Sequence, residues 1–66
     1  MAYYARVVFD TNESVVERHE DLGEARRWIE EERQSRPGLF HLGQIIEATP
    51  SRPVVASCNA HGWDPA

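Results

Sequence analysis

The most constraining feature of this chain is a punctuated helix in its middle. Asp21-Leu22-Gly23-Glu24 has the chemistry of a helix start, and Arg36-Pro37-Gly38 that of a stop. The Asp21 carboxylate can accept from the free amides of the first turn, with Glu24 three residues on as in a capping box. Pro37 cannot continue a helix, and Gly38 can turn the chain. This predicts a helix over about residues 22–35. Its apolar face is Leu22, Ala25 and Ile29, with Trp28 on the flank, a stripe wide enough for one sheet face only. Glu24 with Arg27, Arg26 with Glu30, and Arg27 with Glu31 stand at ion-pair spacing along it.

On both sides of the helix the chain is rich in β-branched and aromatic residues. Tyr3 to Asp10 alternates, with Tyr3, Ala5, Val7 and Phe9 on the more apolar face. Thr11 to Ser14 reads as a turn, and Val15 to His19 as a second strand rather than a helix extension. A turn centred on Asn12-Glu13 would set Phe9 opposite Val16, and Val7 opposite Arg18, which spoils the pattern. Leu39 to Thr49 reads as a third strand and Val54 to Cys58 as a fourth, joined by the rigid turn Pro50-Ser51-Arg52-Pro53. The expected fold is therefore α+β, in the order β-β-α-β-β. About four strands form an antiparallel sheet, and the helix packs on one face. Residues 1–60 would make a single domain, and 61–66 a C-terminal tail. Such a sheet leaves a second face, expected to carry Tyr4, Val8, Val15 and Ile45.

Length sharpens the problem of that face. A domain of 66 residues buries only about 60% of its extended surface, so it has little stability to spare. An internal disulfide is excluded, because Cys58 is the only cysteine. One cysteine fits a reducing cytosol better than a secreted scaffold. No segment approaches the roughly 20 apolar residues of a membrane span, and Met1 to Arg6 does not resemble a signal peptide. The expected setting is cytoplasmic. The net charge of −4 disfavours nonspecific binding to nucleic acid or anionic membranes. All seven basic residues are arginine, which codon bias in a GC-rich, bacterial genome explains without any appeal to function.

Four groups of residues invite a functional reading. His41, Cys58 and His61, with His19 as a fourth, contain metal-ligand types. Zinc sites usually offer two closely spaced ligand pairs, and this chain has one, Cys58-x-x-His61. A cysteine packed in a strand, with surface histidines, explains the same residues, and no cofactor is expected. Cys58, His61 and Asp64 also supply the elements of an activated thiol, but three residues do not make a substrate pocket. Arg26, Arg27, Arg33 and Arg36 could meet a nucleic acid through the helix. Glu24, Glu30, Glu31 and Glu32 interleave with them, so a solvated ion-pair face is the better reading. The aromatic group is the strongest signal. Tyr and Trp are favoured at interface centres, and an apolar sheet face needs a cover. The expectation is a small non-catalytic protein-interaction module, a homodimer or an adaptor to a larger protein. Its contact surface would include Tyr4, Val8, Val15 and Trp63.

Overall fold

The helix forms where its caps predict. In a computed structural model, which describes residues 2–64, α1 spans Leu22–Ser35. Asp21 is its N-cap in extended conformation, and the Asp21 carboxylate accepts from the Glu24 amide at 3.2 Å. At the other end the Arg36 amide donates to the Glu32 carbonyl at 3.2 Å before Pro37 stops the ladder.

The strands are β1 (Tyr3–Phe9), β2 (Ser14–His19), β3 (Phe40–Glu47), β4 (Val54–Asn59) and β5 (Gly62–Asp64). They form one antiparallel sheet in the order β2-β1-β3-β4-β5, so β1 and β3 are interior and α1 lies mainly across them. Residues 14–19 are strand and not helix. The architecture is the expected α+β domain, with five strands where about four were expected.

The extra strand lies in the stretch read as a tail. Asn59 and Gly62 close a two-residue loop, in which the Asn59 side-chain oxygen accepts from the His61 amide at 2.8 Å. Gly62 takes φ 133°, a value that few other residues adopt readily. Trp63 then pairs with Cys58 and Asp64 with Ser57. Three residues are too few to show an alternating pattern, so the strand is set by its turn.

The first hairpin corrects the expected register. Its loop is Asp10-Thr11-Asn12, with Asn12 at φ 68° and the Phe9 amide donating to the Glu13 carbonyl at 2.9 Å. This is a three-residue loop ending in a left-handed residue, not a two-residue turn. The pairs are Val7 with Val15, Arg6 with Val16 and Tyr4 with Arg18. A shift of register by an odd number exchanges the faces of β2. Arg18 thereby leaves the helix side, and the mismatch with Val7 disappears.

The core is a single layer between helix and sheet. Ala5, Val7, Phe9, Phe40, Ile45, Ala56 and Cys58 come from the strands, and Ala25 and Ile29 from α1. No polar or charged residue is buried among the described residues. Phe9, Ile29, Ile45 and Val7 are fully buried, each contributing about 1.5–3 kcal/mol. Gly43 is required by the fit. A Cβ there would stand 2.6 Å from Ile29 Cγ2, so the missing side chain lets the helix settle on β3. Of the expected helix face, Ala25 and Ile29 are buried and Trp28 packs against the core beside His19, ring centroids 5.9 Å apart. Leu22, in the first turn, remains 37% exposed.

Candidate interaction surface

The strand positions that alternate with this core build a second face. Arg6 lies between Ala5 and Val7, both fully buried against the helix, so it belongs to the opposite side. The register carries that side across the sheet in rows. One row is Arg18, Tyr4, Ile46 and Val54, and another is Ser14, Val8 and Leu42. Between them runs Val16, Arg6, Gln44, Ser57 and Asp64. Tyr4, Val16 and Val54 are exposed, while Val8, Leu42 and Ile46 are half-buried, shaded by neighbours in the sheet. No element packs over them, since the only helix among the described residues lies on the other face. The smallest dimension of the molecule is 16 Å, the thickness of two layers.

Two open hollows border this region. One, of about 310 Å³, is lined by Tyr4, Ala48, Thr49, Pro50 and Arg52. The other, of about 320 Å³, is lined by His41, Leu42, Gln44, Ser57, Cys58 and Asn59. The second holds nucleophile and base types, but His41 pairs with Asp10 and the Ser57 hydroxyl donates to the Asp64 carbonyl at 3.4 Å, so they are not joined to one another.

Of the four residues expected on the contact surface, Tyr4 and Val8 lie on the open face. Val15 pairs with the buried Val7, so it points to the helix side at the sheet's margin. Trp63 pairs with Cys58 and packs against the core. Its indole N–H donates to Glu30 Oε1 at 2.7 Å, and the Arg26 guanidinium stacks 4.7 Å above its ring. Ile45 is buried under the helix, and Ile46 takes the outward position. Adjacent isoleucines leave that parity open until β3 pairs with β1. Leu42, Ile46, Val16 and Val54 are the apolar members the sequence reading missed. The alternation from Leu42 through Gln44 to Ile46 was a signal available for two of them.

The other constellations do not come together. The Cys58 thiol faces α1, with Sγ 4.0 Å from Arg33 Nη1. Burial raises its pKa above the ordinary thiol value, and Arg33 only partly opposes this. Such a thiol is less ready to ionise and act as a nucleophile. Asp64, two residues beyond Gly62, alternates with Trp63 onto the opposite face from Cys58, so the thiol, His61 and Asp64 form no triad. His41 pairs with Asp10 at 3.6 Å, His61 lies in the β4–β5 turn, and His19 sits on the opposite edge strand from β5. Among the described residues, no three His, Cys, Asp or Glu side chains are grouped to hold a metal ion.

Three of the four helix-region arginines are held within the molecule. Arg26 lies over Trp63. Arg33 bonds Glu30 at 3.3 Å and the Ala60 carbonyl at 3.1 Å. Arg36 covers the Phe9 ring at 4.9 Å and reaches Glu13 at 3.7 Å. The expected pairing of Arg26 with Glu30 is thus replaced by a shared hold on Trp63. No described helix is long and apolar enough to cross a membrane. Comparison with family models, with curated proteins and with solved structures returned no match.

Proposed function

We propose that this chain is a non-catalytic protein-interaction module whose contact surface is the sheet face opposite the helix. One observation carries the reading: Tyr4, Val8, Leu42, Ile46 and the flanking valines form two apolar rows from four strands, on either side of a polar row, with no layer over them. Monomers rarely keep such a surface unless it meets something. The apolar rows carry an aromatic member, Tyr4, and flank a polar row that runs through Arg6, Gln44, Ser57 and Asp64, so the face offers both apolar area and charge to a partner. The lone cysteine suits a reducing cytoplasm. A nucleic-acid role has less support, because three of the four helix-region arginines are engaged internally and the chain is acidic.

The test is a photo-crosslinking amino acid placed at Leu42, with Glu31 on the helix as control. In cells producing the protein, position 42 should crosslink to protein, either this chain or another, and position 31 should not. Equal yields at the two positions would remove the reading.

A further inference from the structure

We infer that the occupant of the open face is a second copy of this chain. The copy packs face to face about a two-fold axis that runs parallel to the strands, between β3 and β4. The inference rests on the interaction reading above and adds to it a partner and a geometry.

It starts from Arg6. That guanidinium stands near the middle of the apolar face, and among the described residues it joins none of the five ion pairs. Any partner that covers the face takes Arg6 out of water. A buried charge without a counter-charge is costly, so the partner must bring an acid to that point. This chain carries one in the same row. Arg6 pairs with Gln44, Gln44 with Ser57, and Ser57 with Asp64. Asp64 is exposed and likewise joins none of those ion pairs. The row therefore runs from a cation on β1 to an anion on β5, with two neutral hydrogen-bonding side chains between.

A two-fold axis along the strands reverses strand order and keeps position along each strand. Placed between β3 and β4, it lays β1 over β5 of the second copy, and β3 over β4. Arg6 then meets Asp64 and Gln44 meets Ser57, each contact occurring twice as an isologous interface requires. In the next row Ile46 meets Val54. Moving the axis onto β3 would instead set Arg6 over Ser57 and bring Asp64 under Val16. An axis across the strands through the row would bring the arginines towards each other. The charges thus favour one of the available arrangements. Sheets packed this way lie about 10 Å apart with strands roughly 30° from parallel, within reach of an arginine.

The covered area indicates a weak dimer. In this arrangement β2 overhangs, and four overlapping strands about 4.8 Å apart with six residues at about 3.3 Å project to roughly 400 Å², below the ~800 Å² per partner of a standard interface. Sedimentation of the full chain should therefore span about 1 µM to about 1 mM.

Dimerisation within that range is the expected result. Arg6→Asp and Asp64→Arg should each weaken it by about tenfold or more, and the double exchange should restore it to within a few-fold of the parent. Both residues are exposed, so unchanged thermal unfolding of each variant will separate lost association from lost fold. A parent that stays monomeric at about 1 mM would overturn the proposal. So would a dimer indifferent to both reversals. In either case crosslinking at position 42 still decides the broader reading: capture of only a different protein there sinks the self-pairing and keeps the interaction role.

Discussion

The two faces of the sheet are made by the same strands, from residues one position apart, yet they follow different rules. On the helix side Ala5, Val7 and Phe9 alternate into a layer without a buried polar group, and Gly43 is trimmed to admit Ile29. On the other side Tyr4, Arg6 and Val8 alternate into a layer that is apolar at its ends and charged in its middle. The first face is complementary to a segment of its own chain. The second is complementary to no segment of the described chain. Apolar content alone does not distinguish them; the difference is whether the charges have been excluded.

Paired substitutions should expose that difference. The largest effect is expected from Phe9→Ala, which opens a cavity under the helix and should cost about 3–5 kcal/mol in urea unfolding. Tyr4→Ala, on the same strand but facing out, should cost less than about 1 kcal/mol at dilution, where no partner covers it. Equal losses would mean that the two faces are not distinct. Gly43→Ala comes next. Its Cβ would clash with Ile29 Cγ2 at 2.6 Å, so the helix must lift or the side chain turn, for about 1–3 kcal/mol by the same assay. Asp21→Ala should cost about 1 kcal/mol through the lost amide cap, and guest Asn at that site should recover most of it.

The smallest effect is a pH dependence from Cys58. The folded-state thiol has a raised pKa, so at alkaline pH the native chain holds a proton that the unfolded chain has released. Stability should fall as pH rises through the ordinary thiol range and level off above the raised native value. Cys58→Ala should remove that slope while lowering stability at neutral pH through lost packing. A slope that survives in Cys58→Ala would assign it to another group.

What was legible in the sequence follows from what is local. The ends of α1 could be read because the capping groups lie within a few residues of what they cap. Tyr4 and Val8 could be assigned to the open face because β1 alternates without interruption. Val15 was misplaced because its facing depends on the φ of Asn12, which fixes the hairpin register. Ile45 and Ile46 exchanged roles because only cross-strand pairing decides between adjacent isoleucines. Trp63, expected on the contact surface, packs instead against its own core. The groups that hold it, Arg26 and Glu30, lie more than thirty residues earlier, and no spacing rule reaches that far.

That hold on Trp63 bears on how the chain is made. Folding during synthesis proceeds from the N-terminal side, with local contacts available first. The first hairpin and α1 can therefore assemble while the rest is still being added. The carboxylate of Glu30 and the guanidinium of Arg26 wait for an indole that is added more than thirty residues later. Until then β4 has a bare edge, and the nascent domain is open to pairing with whatever strand comes near. The three-residue strand that ends the described chain is, in that sense, its closing stitch.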